Sequence, residues 1–204
     1  MVKKVSSRKK ADKSDLPVLL FLGTQASGKG TQARLVVKKY GFTLFEMGHF
    51  LRLESRKKTT LGKLIKSLID HGYLVPSWVA GKMLRRAMPR LQNKPLIIDG
   101  APRQYVEAKF HEKSLADFGR RVTLIVFFKL SEKEGLRRLL KRGRNDDTPE
   151  SIKRRFAWSR IKLKTILNYF GKKYPIVVIN GEQSISAVHK DVVRALKKRH
   201  VVKS

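Results

Sequence analysis

The stretch GTQASGKGTQ, residues 23–32, decides the fold class, because it directly follows the apolar run 18–22. A buried strand that runs into a glycine-rich turn and then a helix is the context in which such a stretch binds phosphate. Its three glycines let the backbone curl so that N–H groups point at phosphate oxygens. Lys29 adds a mobile positive charge, and the helix that begins near Gly30 adds the positive end of its dipole. The stretch predicts a loop for a nucleoside triphosphate, with Gly30 where most such loops carry Ser or Thr.

Apolar runs alternate with helical patterns along the chain, which predicts an α/β fold with a parallel sheet covered on both faces. The five predicted strands lie near 17–22, 42–46, 95–99, 122–129 and 175–180. The predicted helices lie near 29–39, 50–57, 60–70, 76–90, 104–116, 132–141, 148–170 and 184–199. The stretch 47–90 has no strand pattern, so we predict an inserted helical subdomain there.

Composition favours one folded unit. The 204 residues suffice for a single domain with a real core, predicted at 16–204 after a basic, disordered tail at 1–15. The chain has no cysteine, so it has neither a disulfide framework nor a thiolate metal site. No apolar run approaches the roughly 20 residues of a membrane helix, and no signal-peptide pattern appears. A cytoplasmic, monomeric protein without membrane contact is the expectation.

The positive charge is unusually high. Lys and Arg number 47 against 16 acidic residues, for a net charge of +31. The surplus is spread along the chain, and two interpretations stay open. It is either solvated surface charge without a partner, or it gives a nonspecific, salt-sensitive affinity for RNA or other polyanions. We find no aromatic-rich signature of specific RNA recognition.

Five motifs together resemble the adenylate kinase family of nucleoside monophosphate kinases, and they span about residues 16–200. They occur in the family's order: GKGTQ at 28–32, MGHFLR at 47–52, DGAPR at 99–103, RLLKRGRNDD at 138–147 and IKRR at 152–155. The third resembles the family's DGFPR, with Ala101 in place of Phe. The resemblance implies a P-loop kinase fold and transfer of the γ-phosphoryl group of ATP to a nucleoside monophosphate (NMP), with Mg²⁺ as cofactor.

Such a transfer needs no general base, because the acceptor oxygen is already anionic. It needs two repelling polyanions to be aligned and positive charge to lie along the path of the transferred group, which suits arginine. The resemblance implies a site residue by residue. The ATP-binding residues would be Gly23, Ala26, Ser27, Gly28, Lys29, Gly30, Thr31, Arg138 and Arg142. The NMP-binding residues would be Met47, Arg52, Val75, Gly100, Arg103 and Glu107. The catalytic residues would be Lys29, Arg103, Arg142, Arg144 and Arg155, and Asp99 would hold Mg²⁺ through water.

The chain departs from the family at the lid. Only residues 143–145 separate Arg142 from Asp146, where family members carry an inserted loop or subdomain. We therefore expect a minimal lid turn at 142–147 and weaker exclusion of water from the transferred group. Arg144 is expected to compensate in part.

The acceptor pocket departs as well. Met47 and His49 replace Thr and Asp of the family motif, and Glu107 stands where the family usually has the Gln that contacts adenine. An ionised carboxylate accepts but cannot donate, so it suits guanine's N1–H and N2–H better than adenine's N1. Alternatively, Gln104 or a backbone group contacts the base and Glu107 is a solvated surface residue.

AMP is the acceptor we expect, on the weight of the family. CMP, UMP and GMP remain alternatives within the same fold. An alternative from another class is a nucleotide-regulated RNA- or ribosome-associated protein with vestigial kinase activity, which the altered acceptor motifs and the +31 charge would suit.

Overall fold

Five strands and eight helices make up the part of the chain that the computed structural model describes, residues 16–91, 93–143 and 147–203. The strands are β1 Val18–Gly23, β2 Thr43–Glu46, β3 Leu96–Asp99, β4 Leu124–Lys129 and β5 Ile176–Asn180. The helices are α1 Lys29–Tyr40, α2 Met47–Ser55, α3 Thr60–Asp70, α4 Ser77–Leu91, α5 Tyr105–Ala116, α6 Glu132–Arg142, α7 Pro149–Gly171 and α8 Ile185–Lys198. None of these helices is both long and apolar enough to cross a membrane.

The five strands form one parallel sheet in the order β2-β3-β1-β4-β5. The central strand β1 pairs with β3 and β4 and is buried from Val18 to Leu22. The connection after β1 leads to β2 at one edge of the sheet, and the connection after β3 leads in the opposite direction, to β4. The carboxyl ends of β1 and β3 therefore flank a crevice of the kind in which α/β folds bind ligands. Phe21 lies beside Asp99 in the register, which brings the glycine-rich loop and the DGAPR motif together.

Helices cover both faces of the sheet, which confirms the predicted fold class. On one face, α1 and α8 pack through Val36, Val192 and Leu196. On the other face, the core includes Leu84 of α4 and Phe170 of α7. The stretch 47–90 contains α2, α3 and all of α4 except Leu91, with no strand, as predicted.

Each predicted strand and helix is present, with small shifts in the bounds. The helix predicted at 50–57 begins earlier, at Met47, and ends at Ser55, because the chain enters it directly from β2. The strand predicted from 122 begins at Leu124. Thr123 bonds with Val18 instead through its side-chain hydroxyl and its backbone N–H.

Candidate active site

The loop between β1 and α1 has the curled backbone that phosphate binding requires. Gly23 has a φ of +148°, and a Cβ on it would lie 2.5 Å from the carbonyl oxygen of Phe128, so only glycine fits. Ala26 and Gly28 also have positive φ, 59° and 88°. α1 begins at Lys29 and directs the positive end of its dipole at the loop. This geometry suits a bound polyphosphate.

The Lys29 ammonium lies across this loop. Its Nζ donates to the carbonyl oxygen of Thr24 at 2.7 Å and to Ser27 Oγ at 3.1 Å. Loss of hydration lowers the pKa of Lys29 to about 8, and the positive charges of Arg103 and Arg142 act in the same direction. Phosphate oxygens are a better match for such a crowded ammonium than the loop's own neutral oxygens.

Gly30 explains the GKG variant of the loop. A Cβ on Gly30 would lie 3.1 Å from Asp99 Oδ2 and 3.4 Å from Arg34 Nη1. A Ser or Thr here would therefore press on the Asp99 carboxylate at the end of β3. The glycine and the aspartate share one space, and the sequence motifs that carry them lie far apart in the chain.

Asp99 has the properties of a carboxylate that accepts a hydrogen bond from metal-bound water. It is buried, and its Oδ1 has no hydrogen-bond partner among the described residues. Burial raises the pKa of Asp99, while the Lys29 charge opposes that shift. The described residues contain no cluster of three or more His, Cys, Asp or Glu that could hold a metal directly. The site thus fits a Mg²⁺ ion held by phosphate oxygens and water, with Oδ1 of Asp99 accepting from a water molecule.

We expect Gly30→Thr to lower kcat by about 10- to 100-fold, because the added side chain must displace the Asp99 carboxylate from its place. Gly30→Ala should give a smaller loss, since it adds only the Cβ. Steady-state kinetics with saturating Mg²⁺-ATP measure both, and thermal unfolding checks that each variant is folded. Wild-type turnover by a folded Gly30→Thr enzyme would refute the crowding argument.

Arg103 is held in the cleft from three sides. Its Nε donates to the carbonyl oxygen of Gly100 at 2.7 Å, and its backbone N–H donates to Glu107 Oε2 at 3.0 Å. Its guanidinium carbon lies 5.6 Å from the ring centroid of Trp158, within the range of a cation–π contact. Neither Nη atom forms a hydrogen bond to the described residues, so the forked end of Arg103 is available to a phosphate.

Arg52 reaches the same cleft from α2. Its Nη2 lies 3.6 Å from Glu46 Oε1, and a Cβ on Gly48 would lie 3.1 Å from its Nη1. The glycine of the MGHFLR motif therefore makes room for the arginine one turn later. This close approach explains why glycine at 48 and arginine at 52 occur together in the motif.

The arginines of α6 and α7 meet at one carboxylate. Arg142 forms a bidentate ion pair with Asp147, with N–O distances of 2.8 and 2.7 Å. Arg155 Nη1 also donates to Asp147, at 3.0 Å. The Asp147 side chain is 1% exposed, so it fixes both cations at the cleft's rim. Arg144 lies outside the described residues, as do Asn145 and Asp146 of the lid turn predicted at 142–147.

Arg138 links the rim to the phosphate loop. Its Nε donates to Glu134 Oε1 at 2.6 Å, and its Nη1 donates to the carbonyl oxygens of Gly181 and Ala26 at 2.9 and 3.4 Å. It thus lies beside the loop, where the donor nucleotide is expected.

These elements enclose a cleft of about 330 Å³ at the carboxyl edge of the sheet. The predicted site residues that line it are Gly23, Ala26, Ser27, Gly28, Lys29, Gly30, Thr31, Arg52, Asp99, Gly100, Arg103, Arg138 and Arg142. Arg155 lines an adjoining pocket of about 90 Å³, which shares Arg52, Arg103 and Arg142 with the cleft.

Three predicted acceptor residues, Met47, Val75 and Glu107, are buried in the interior and do not line the cleft. Met47 and Val75 belong to the apolar core, 1% and 7% exposed, and neither is among the described residues that line the cleft. The Val75 carbonyl oxygen accepts from Gln104 Nε2 at 3.1 Å, so this backbone group meets the side chain that the sequence offered as an alternative contact for the base.

Glu107 is 3% exposed, so its interpretation as a solvated surface residue is wrong. It occupies the third position of α5 and accepts from the backbone N–H groups of Arg103 and Gln104, as in a capping box. Burial raises the pKa of Glu107 to about 7. Its Oε1 lies 3.7 Å from Nε2 of the buried His111. Glu107 therefore stabilises the backbone of the segment that carries Arg103, through the hydrogen bonds that it accepts from that backbone.

Trp158 is one of the cleft residues that the sequence reasoning missed, and it lines both pockets. A signal was present in the pattern Ser151, Arg154, Arg155, Trp158, whose spacing places four side chains on one face of a helix.

Known proteins are similar to this chain over most of its length. The sequence model of the adenylate kinase family matches residues 21–174. An adenylate kinase of Azobacteroides pseudotrichonymphae is 33% identical over 181 residues, which cover 86% of this chain and 95% of the relative. The uridylate kinase of Saccharomyces cerevisiae is 34% identical over 188 residues, 88% and 90% of the two chains. UMP-CMP kinase 3 of Arabidopsis thaliana is 34% identical over 181 residues, 86% of each.

Proposed function

The chain belongs to the adenylate kinase family and is a nucleoside monophosphate kinase, and on that premise we propose that it transfers the γ-phosphoryl group of ATP reversibly to AMP. The observation that carries the proposal is that Lys29 on the phosphate loop and Arg103 after β3 lie in one cleft. A cation for each substrate's phosphates is what in-line transfer between two polyanions requires.

On the donor side, the loop amides and Thr31 hold the α- and β-phosphates, and Lys29 reaches the β- and γ-phosphates. Asp99 would hold the water of a bound Mg²⁺ ion, which would supply positive charge to the triphosphate. Arg138, fixed to the carbonyl oxygens of Ala26 and Gly181, lies against the donor nucleoside.

On the acceptor side, Arg103 and Arg52 hold the monophosphate, with its attacking oxygen directed at the γ-phosphorus. Arg142 and Arg155 flank the transferred group from the rim. Asp147 keeps both in place before any substrate binds, which lowers the cost of assembling the site.

We favour AMP over GMP on the weight of the family. Glu107 and Gln104 do not decide between the bases, because neither is among the described residues that line the cleft. Gln104 Nε2 donates to the Val75 carbonyl oxygen, and Glu107 is buried. Because relatives act on uridylate as well, the acceptor must be measured.

The test is ATP consumption with Mg²⁺ against AMP, GMP, CMP, UMP and no acceptor. We expect the highest kcat/KM with AMP and the product ADP from both substrates. A higher value with another monophosphate would transfer the assignment to that base. Absence of turnover with every acceptor would overturn the proposal.

Binding of RNA is the second candidate function, favoured by one surface. α4 carries Lys82, Arg85, Arg86 and Arg90 and no acidic residue, which suits a phosphate backbone. A nucleic-acid function predicts tight RNA binding at physiological salt that survives Lys29→Met. Affinity that disappears between 50 and 200 mM salt, on the order of a 10³-fold loss, would indicate nonspecific attraction only.

Glu107→Gln provides a direct check of how the base is selected. Because the carboxylate accepts from the backbone N–H groups of Arg103 and Gln104 and Glu107 is not among the described residues that line the cleft, we expect the order of preference among the four monophosphates to be unchanged. The ratio of kcat/KM for AMP to that for GMP is the quantity to measure. A rise of about tenfold or more, the size of one hydrogen bond to a charged group, would show that Glu107 contacts the base after all.

A further inference from the structure

One face of α7 contacts the turn between α3 and α4, residues 71–76. Trp158 Nε1 donates to the Gly72 carbonyl oxygen at 3.1 Å. One turn earlier, Arg155 Nη2 donates to the Ile69 carbonyl oxygen at 3.0 Å. Arg154 bonds to the carbonyl oxygen of His71. Three carbonyl groups at the end of α3 thus find their donors on α7, where the helix dipole also favours positive charge.

The backbones meet as closely as the side chains do. A Cβ on Gly72 would lie 2.6 Å from the carbonyl oxygen of Ser151, so the turn lies directly on the first turn of α7. The Arg154 guanidinium stacks over the Tyr73 ring, 4.2 Å from its centroid. Ser151, Arg154 and Trp158 therefore act on the turn from a single helical face.

The other side of Trp158 faces the reacting groups. Its ring lies against the Arg103 guanidinium, and it lines both the main cleft and the adjoining pocket. One side chain therefore contacts the α3–α4 turn through its N–H and the acceptor-phosphate arginine through its ring.

We propose that Trp158 is a positioning residue for the acceptor: its indole N–H holds the α3–α4 turn on α7 while its ring fixes the plane of the Arg103 guanidinium. The α3–α4 turn at the acceptor side is thus held by α7 itself, in a chain where only three residues separate Arg142 from Asp146. This rests on the proposed role of Arg103 as the ligand of the acceptor phosphate.

The first test needs no substrate. Trp158→Phe keeps an aromatic ring, although a smaller one, and removes the N–H, so amide hydrogen exchange in residues 68–75 should accelerate about fivefold, the effect of one neutral hydrogen bond. Trp78→Phe is the matched control, since Trp78 is an exposed residue of α4, and it should leave that exchange unchanged. Wild-type protection of residues 68–75 in Trp158→Phe would overturn the proposal.

The second test separates positioning from general stability. With the monophosphate that the wild type uses best, Trp158→Phe should raise the acceptor KM about fivefold and leave kcat and the KM for ATP within twofold. Trp158→Leu should in addition lower kcat about tenfold, because the guanidinium loses its ring. Equal changes in both KM values, or none, would overturn the proposal. If the wild type used no monophosphate, the proposed function would fail, and the exchange result would still decide whether Trp158 holds the turn.

Discussion

Lys29→Met is expected to lower kcat about 1000-fold, the largest loss of any single substitution in this site. In the proposed function the ammonium contacts the β- and γ-phosphates, and removal of one preorganised donor to developing charge costs on the order of 10²- to 10³-fold. The methionine keeps the length and the apolar stem of the side chain. The fold should therefore survive, and melting temperature and circular dichroism check that it does.

The matched control is Lys38→Met, which makes the same substitution on the exposed side of α1. It should retain wild-type turnover, since any general effect of losing one positive charge is shared by both variants. Turnover of Lys29→Met within tenfold of wild type would contradict the assignment of Lys29 to the phosphates.

The lowered pKa of Lys29 adds a pH dependence with a definite sign. Because its pKa in the free enzyme is about 8, the ammonium is fully present well below that pH and is lost as the pH rises through it. The ratio kcat/KM for ATP reports the free enzyme, so it should fall about tenfold per unit above pH 8. Lys29→Arg keeps its charge throughout this range, and its profile should lack that decline.

The fold and the phosphate loop could be predicted because their signals are local. An apolar run that continues into GTQASGKGTQ specifies a strand, a turn and a helix within fifteen residues. The position of Arg103 follows equally from a strand that ends in DGAPR, since parallel strands share one carboxyl edge. These inferences needed no knowledge of how distant helices pack.

The acceptor residues could not be predicted in the same way, because their burial depends on contacts between helices. Glu107 is covered only because α5 packs closely against α4, where a Cβ on Gly81 would lie 3.0 Å from the Phe110 Cβ. Its position in the chain shows that it belongs to the first turn of a helix. That position does not show which side of the turn is buried. Trp158 was missed for the same reason, since its partners come from the turn at 71–76 and from Arg103.

Arg103→Ala should lower kcat/KM for the monophosphate about 1000-fold, more than any other substitution on the acceptor side. Gly100 and Trp158 already restrain this side chain, and Glu107 holds its backbone N–H, so less of its affinity for phosphate is offset by the cost of ordering it. Loss of a bidentate, charge-assisted contact that also aligns the attacking oxygen affects binding and turnover together. Initial rates at varied acceptor and saturating ATP give both parameters.

Arg103→Lys distinguishes shape from charge at this position. Lysine keeps the positive charge but lacks the planar fork that meets a phosphate at two oxygens and that lies near the Trp158 ring. We expect it to recover no more than about a tenth of the lost kcat/KM, a factor typical of one missing charge-assisted hydrogen bond. The control is Arg194→Ala, at an exposed residue of α8 whose partner is Asp191. It should leave kcat/KM for the monophosphate unchanged. Full recovery in Arg103→Lys would mean that the acceptor phosphate needs only a nearby charge, and that the three contacts that orient Arg103 serve the fold and not the transfer.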